Sequence, residues 1–455
     1  MKIFFISHDF SGSGLCLRLH REGNDVRAFV ADPLYGQVLD GLVEKVTNLD
    51  DGFAWVGRDG LIVVDDVGFG GLQDRLRADG YAVVGGSAGG DLLENDRLLC
   101  QRVLAEHGVR TVPIHYFEHR DDAIRFVRQN PGRWVLKQNG QSDKSFCYVG
   151  MLSNGNDVLD LLEYYGRNTA QDTSHFILQQ HIEGVEIGVG RYFNGHDWLG
   201  PVELNIEHKK LFPGGLGPKT FEMGTLMWYD PDEENRLFRE VLAPLAPYLR
   251  SIDFRGDFEI NCIVNEQGAF PLEATSRFGY PAVQLQTEFH CTPWGKFLGA
   301  VARGEDYRLE CRAGYGIVVL IALPPFPFYH SVVRERPLPQ GLKIHFCQEP
   351  DEAELRHYHS DGVIIRRDGQ GRETWHTCSD TGYIMHVSGL GATVEAARDQ
   401  AYRRIDNIVI PKMFYRYDIG VRFLEQDRAL LERWGYLEEE DRTTGANVLM
   451  TGIEL

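Results

Sequence analysis

Two short runs hold the residue types best suited to chemistry. FEINCIV (258–264) alternates polar and apolar residues as a half-buried strand does, and AFPLEAT (269–275) reads as its partner. A three-residue connection, Glu266–Gln267–Gly268, with the glycine left-handed, is a favoured hairpin loop. It sets Asn265 opposite Ala269, Asn261 opposite Glu273 and Glu259 opposite Thr275, and side chains opposite one another share a face. Glu259, Asn261, Glu273 and Thr275 are therefore expected to crowd one face. Two carboxylates and two neutral oxygens so placed resist burial unless a cation joins them. Magnesium suits such a set, because it takes oxygen ligands and is usually held by one or two carboxylates plus substrate phosphates. The bland alternative is a solvent-facing hairpin with incidental acids. Thr275 runs directly into Ser276, Arg277, Phe278 and Gly279, a turn presenting a guanidinium that could hold a phosphate or carboxylate at two points.

Other candidates lie upstream and downstream. Lys137 ends the strand-like WVLK and precedes the small-residue loop NGQSDKS, which suits a nucleotide phosphate. FILQQHIEGVE (176–186) gives an apolar strand, a short turn and the acid Glu186. Such a strand edge can pair with adenine through its backbone, and the acid can bind ribose hydroxyls. His357, His359 and His376 could suggest a metal site, but two histidines at i, i+2 on a strand are more often surface residues. Cys291 after His290 is expected to be a buried thiol, since nothing upstream completes a triad.

The elements that must position these residues fall into a coarse pattern. KIFFIS, HDFSGSG, LCLRLHREG and NDVRAFVAD read as strand, glycine turn, helix and strand. Gly12 and Gly14 stand where a strand hands over to a helix N-terminus, a natural anion site and also a common plain turn. With Leu61–Val64 this predicts an open parallel sheet over residues 1–90. A helix is predicted from about Asp91, with Gly108 at its C-cap. Strand candidates Val112–Tyr116, Trp134–Lys137, Cys147–Met151, Phe176–Ile182 and Glu186–Phe193, with a helix at Asp121–Gln129, predict an antiparallel sheet with helices on one face. A helical stretch is expected at Asp232–Arg250. After about Leu309, YGIVVLIALP opens a β-rich lobe closed by a helix over Thr393–Ile408.

With 455 residues the chain is too long for one core. A net charge of −19 argues against a general nucleic-acid binder. Eight scattered cysteines without a C-x-x-C pair favour reduced thiols. No apolar run approaches the roughly 18 residues of a membrane span, and no signal peptide is evident, so the cytoplasm is expected.

At this point the chain resembles the ATP-grasp superfamily, and within it the phosphoribosylamine–glycine ligase family. RFGYP (277–281) is similar to the family's RFGDP, IEGVE (182–186) to its LDGEE, and EHKKLFPGGLGPKTFEMGT (207–225) to its substrate loop. SGLGATVEAARDQAYRRIDNI with YRYDIG (388–420) resembles its C-terminal signature. The resemblance implies an α/β and α+β multidomain chain: an N-terminal open parallel-sheet domain (1–90), an ATP-grasp domain (91–308, small lobe about 110–185, large lobe about 186–308) and a β-rich C-terminal domain (309–455). It implies ATP contacts at Arg97, Lys137, Lys144 and Glu186, and an adenine hinge at Gln180, His181 and Ile182. Magnesium, with manganese as the alternative, would bind Glu259, Asn261, Glu273 and Thr275. Gly217, Lys219, Thr220 and Arg277 would contact substrate, and Arg277 and Lys209 would act in catalysis. The implied substrates are glycine and phosphoribosylamine, joined through an acyl phosphate, with no nucleic acid and no membrane as partner.

The sequence departs from the family in five places. HDFSGSGLCL replaces its N-terminal glycine-rich run, NGQSDKS its ATP lid, Thr275 its metal-binding asparagine and GYIMHV (382–387) its G-G-R-V-L. Lys219, Phe221 and Glu222 replace Asn-x-Gly-Gly. These leave two further readings open: a related ligase for another amine and carboxylate, and a non-catalytic nucleotide-binding homologue.

Overall fold

The computed structural model describes residues 1–138, 147–168, 175–328, 340–367, 369 and 371–438. Lys144 lies outside the described residues.

The N-terminal segment forms a five-stranded parallel sheet in the order Glu44–Lys45, Asp25–Val30, Lys2–Ser7, Leu61–Val64, Ala82–Val84. Its strands are continuous apolar runs because both faces are covered. Ile3 and Phe5 join one core with Leu15 and Leu19, while Phe4 and Ile6 join another with Val56 and Leu76. The single helix expected from Asp91 is two, Ala88–Asn95 and Arg97–Glu106. Asp96 breaks the run in an extended conformation and caps the second helix, its carboxylate accepting from Leu98 N (3.0 Å) and Leu99 N (3.2 Å).

The next unit is a four-stranded antiparallel sheet, in the order Ile114–Phe117, Phe176–Gln180, Trp134–Gln138, Tyr148–Val149. Helices Arg120–Gln129 and Asn156–Asn168 cover it through Val127, Val158 and Leu162.

An eight-stranded antiparallel sheet carries the rest: Gly268–Thr275, Arg255–Asn265, Val185–Asn194, Trp198–Glu207, Gly224–Asp230, Tyr315–Ala322, Tyr383–Gly391 and Tyr358–Ser360, in that spatial order. The backbone pairing runs across the boundary expected near residue 309, because Tyr315–Ala322 pairs with Gly224–Asp230. Val318 packs with Leu285 and Phe289 of the helix Ala282–Phe289, whereas Ile317 and Val319 pack with Val394 and Ala397 of the helix Val394–Asp406. The sheet is thus clamped between these two helices. Thr393 caps the second of them, and Ile408–Val409 is a short strand rather than its end. A three-stranded sheet, Gln340–Lys343, Glu373–Cys378 and Val363–Arg367, lies apart.

The hairpin register at its chemical end is as expected: Glu259 faces Thr275 and Asn261 faces Glu273. The turn is tighter than expected, with Asn265 facing Gly268, and an irregularity after Asn261 sets Cys262 opposite Pro271. Pro271 has no N–H to give to the ladder, which is where a strand pair tolerates a bulge.

Candidate functional site

One polar face of the eight-stranded sheet gathers the acids. Lys209, just past the strand Trp198–Glu207, sends its ammonium among three of them: Glu207 at 2.6 Å, Glu186 at 3.3 Å and Glu273 at 3.3 Å. Arg97 binds the other oxygen of Glu273 at 2.7 Å. Asn261 donates to Glu186 (3.2 Å) and to Glu207. Burial pushes the Glu273 carboxyl up, but Lys209, Arg97 and Lys137 outweigh it and hold the group well below the usual carboxylate range. Glu186 is likewise lowered, Lys209 and Lys219 overcoming burial. Lys209 is raised well above an ordinary lysine, because its three acids outweigh its desolvation. The cation that the sequence demanded for this face is thus supplied in part by the chain.

Glu259 stands in a different group on the same face. Its carboxylate accepts from Asn205 Nδ2 at 2.9 Å, and no described cation pairs with it. The neighbouring acids Glu203 and Asp257 share one donor, Gln286 Nε2, at 2.8 Å each, and Tyr192 donates to Gln286 Oε1 at 2.7 Å. Burial first, and mutual repulsion second, push Glu203 up to about 8. Burial also pushes Asp257 up to about 6 and Glu259 well above its ordinary value. Gly188 makes room for this group: a Cβ there would stand 2.6 Å from Glu259 Oε1 and 2.4 Å from Asn205 Oδ1. The four hairpin residues expected together are therefore divided between an ammonium-neutralised end and a proton-holding middle.

Arg277 leaves the sheet towards the N-terminal domain. It pairs with Glu94 at 3.1 Å and Asp66 at 3.6 Å, which hold it above an ordinary arginine despite burial. Nearby, Gly12 N at the start of the helix Ser13–Arg21 donates to Asp65 Oδ2 at 2.8 Å, so that expected anion position is filled by the protein's own carboxylate. Tyr280, three residues after Arg277, donates to Asp361 at 3.2 Å, and Asp361 binds His386 Nδ1 at 2.6 Å.

Lys137 lies at the end of its strand; burial and Arg97 lower it to about 8. At the proposed hinge, Gln180 N donates to Pro113 O and His181 N to Arg133 O, both at 3.1 Å. Gly217 and Lys219 lie on the small hairpin Lys210–Phe212 and Leu216–Lys219. Thr220 is buried, with its hydroxyl on Lys209 O at 3.0 Å, so it orients Lys209 rather than lining a cleft. Phe221 points outward, and Glu222 is buried beside Thr225.

Two expectations fail here. His357 and His359 are buried, not on the surface: both bind Glu288, at 2.5 and 2.8 Å, while His376 sits on the three-stranded sheet beside Thr374. Glu288 draws them in because it arrives on a fully buried helix. Cys291 is exposed rather than buried, and all eight cysteines are free. Sequence reasoning also missed Glu203, Asn205 and Glu207, although ELNIE carries the same alternation of acid, amide and acid as the hairpin.

The donor set suits a hard divalent cation. Asn261 Oδ1 and Asn205 Oδ1 are buried without a hydrogen-bond partner among the described residues, and the surrounding groups are carboxylate oxygens. Among the described residues no three His, Cys, Asp or Glu side chains form a ready metal cage, and no helix is long and apolar enough to cross a membrane.

Comparison with known proteins fits this architecture. Residues 339–422 match the family model for the phosphoribosylglycinamide synthetase C domain. The phosphoribosylamine–glycine ligase of Corynebacterium ammoniagenes is 26% identical over 362 residues, covering 77% of this chain and 79% of that protein. That of Caulobacter vibrioides is 25% identical over 406 residues, covering 85% and 87%. Among solved structures, the phosphoribosylamine–glycine ligase of Thermotoga maritima aligns with a TM-score of 0.69 at 17% identity, covering 92% of this chain and all of that one. The biotin carboxylase domain of Hydrogenobacter thermophilus 2-oxoglutarate carboxylase, solved with MgADP, ADP and bicarbonate, aligns at 0.62 with 13% identity, covering 96% and 99%. The chain has the ATP-grasp fold and is similar to the phosphoribosylamine–glycine ligases.

Proposed function

We propose that the chain is an ATP-dependent, ADP-forming carbon–nitrogen ligase whose substrates are glycine and phosphoribosylamine. The observation that carries this is Glu273: a carboxylate kept ionised among Lys209, Arg97 and Lys137, beside the unpartnered Asn261 oxygen. A permanently charged acid next to cations is what a magnesium-bound triphosphate requires. Magnesium, when bound, would neutralise phosphate charge, with Glu273 and Asn261 as its first ligands and Thr275 and Glu259 within the same face.

The chain's own residues do the rest. Lys137 and Arg97 hold phosphate oxygens, and Glu186, half-exposed beside Lys209, accepts from ribose hydroxyls. The 180–182 backbone meets adenine. Arg277 orients the substrate carboxylate while Glu94 and Asp66 fix its guanidinium. The carboxylate oxygen takes the terminal phosphoryl group, and the amine then displaces phosphate, leaving an amide. Phosphoryl transfer of this kind depends on positioning and charge more than on covalent help from protein.

One observation favours a different amine. Tyr280, committed to Asp361 and stacked edge-on to His386 at 5.1 Å, replaces the acid of the family's RFGDP. ADP release from the purified protein, measured with both substrates, with each omitted and with a panel of other amines, decides. Dependence on glycine and phosphoribosylamine together is expected. Dependence on another pair selects the related-ligase reading, and tight ATP binding without turnover selects the non-catalytic one.

A further inference from the structure

The chain carries a net charge of −19, yet four of its arginines converge on one cavity. Arg18 and Arg21 come from the helix Ser13–Arg21, Arg312 from the approach to the strand Tyr315–Ala322, and Arg356 from the turn before Tyr358–Ser360. The floor includes Glu288 and His290, at the C-terminal end of the helix Ala282–Phe289. Arg277 lies beyond the other end, so about 12 Å of helix separates the two places.

The charges on this cavity do not cancel. Glu288, the acid in its lining, already accepts from His357, His359 and Ser388. Arg18 reaches Glu22 at 3.1 Å, and among the described residues the Arg356 side chain hydrogen-bonds only the ring of His357, at 3.3 Å. Arg21 and Arg312 make no side-chain hydrogen bond or ion pair among the described residues. Burial is the main cause that lowers Arg21; Glu352 opposes it, and repulsion from Arg18 adds to it. His290 is buried, stacked on Trp294 at 4.2 Å, with Nε2 on the Tyr229 hydroxyl at 2.9 Å and Nδ1 without a partner among the described residues. The cavity is ≈ 60 Å³. At about 10–15 Å³ for each water-sized group, it holds roughly four to six of them. A phosphoryl group with its oxygens fills that space, and guanidiniums match its oxygens in pairs.

We propose that this cavity binds a phosphoryl anion, either free phosphate or the phosphate of a small phosphomonoester, and that the bound anion ties the N-terminal helix to the central helix and the C-terminal strand. The inference is independent of the ligase reading. It is tested by calorimetric titration of the full chain with inorganic phosphate and, separately, with glycerol 3-phosphate, each with and without saturating Mg-ADP. Binding is expected to persist with Mg-ADP present. In an Arg312→Glu, Arg356→Glu double variant it should weaken at least tenfold, with the melting temperature in phosphate-free buffer unchanged. Binding of phosphate alone identifies the free ion; tighter binding of the ester identifies a phosphorylated metabolite. No binding, binding abolished by Mg-ADP, or equal affinity in the double variant overturns the proposal. So does a dimer that the double variant dissociates while phosphate has no effect, which would make the arginines a contact between copies.

Discussion

Replacing Lys209 with methionine tests whether its ammonium holds the acidic end of the site together. Its separations are 2.6 Å to Glu207 and 3.3 Å to each of Glu186 and Glu273. At an effective dielectric of about 20, such separations give gross attractions of about 6 and about 5 kcal/mol. Desolvation cancels most of that, and removing one partner of a buried pair costs about 3–5 kcal/mol. The side chains of Glu186 and Glu273 keep 40% and 36% exposure, so water relieves part of the stranded charge. The low end, about 3 kcal/mol at pH 7.5, is therefore expected. The effect has a sign in pH. In the parent, Glu186 and Glu273 titrate below their unfolded values, so their contribution is complete above about pH 4.3 and lost on acidification through the folded values. In the variant both carboxyls titrate higher than in the parent, although Arg97 and Lys137 still lower Glu273 and Lys219 still lowers Glu186, and the variant recovers part of the gap as they take protons. Urea unfolding at pH 7.5 and pH 4.5 should show a gap that narrows with acid. A gap under about 0.5 kcal/mol at pH 7.5, or one that widens at pH 4.5, would refute the reasoning.

Two further outcomes follow from the same electrostatics and a third from packing. Because Lys137 is lowered to about 8, its positive charge fades above that pH, and the KM for ATP should climb between pH 7.5 and 9.5; Lys137→Arg should flatten the profile, and a flat parent profile counts against a phosphate contact. Glu203, pushed up to about 8, holds a proton when folded that it loses when unfolded near 4.5, so stability should fall by about 1.4 kcal/mol per pH unit across that window. Glu203→Gln keeps an acceptor for Gln286, and melting curves from pH 5 to 8 should show the slope reduced. Gly188→Ala, whose new methyl would meet Glu259 and Asn205, should lower the melting temperature without altering the hairpin strands' circular dichroism.

The chemical end of the hairpin was legible because it alternates there, Glu259 with Asn261 on one strand and Glu273 with Thr275 on the other. Its bulge at Pro271 was not: the turn closes one residue tighter than expected, and the irregularity restores the pairing of Asn261 with Glu273. The identity of the neutralising cations was beyond reach: Lys209 lies 64 residues from Glu273 and Arg97 lies 176 away, and no local pattern links them. The helix Ala282–Phe289 misleads in another way. AVQLQTEF places Gln284, Gln286 and Glu288 at alternate positions, which mimics a strand, yet every residue of the helix is buried. Gln286 and Glu288 are met by Glu203, Asp257, His357 and His359 from distant parts of the chain, and Gln284 Nε2 donates to Ser11 O at 3.3 Å, so the helix needs no polar outer stripe. The fold class was readable because parallel, antiparallel and helical periods differ. The division of the acids was not, because it depends on which cation reaches which carboxylate.

That division carries the last prediction. Glu259 and Glu273 are equivalent in sequence terms, two glutamates on one face of one hairpin. In the fold they differ in charge. Against its burial, Lys209, Arg97 and Lys137 hold the Glu273 carboxyl well below the usual carboxylate range, which favours its charged form. Among the described residues Glu259 has only Asn205 as donor, and burial first and repulsion from Glu207, Glu203 and Asp257 second push its carboxyl well above the usual range, which favours its protonated form. A metal-bound phosphate gains most from the acid that is already charged; at Glu259 it must first displace a proton. Glu273→Gln is therefore expected to reduce ADP release by about 10²–10³-fold, the scale for losing one such ionic contact, with circular dichroism unchanged. Glu259→Gln, which replaces a protonated acid by its neutral isostere, should leave release within about tenfold of the parent and should raise stability at pH 8. Equal losses for the two variants would mean that the acids act as one set and that the ammonium of Lys209 does not separate them.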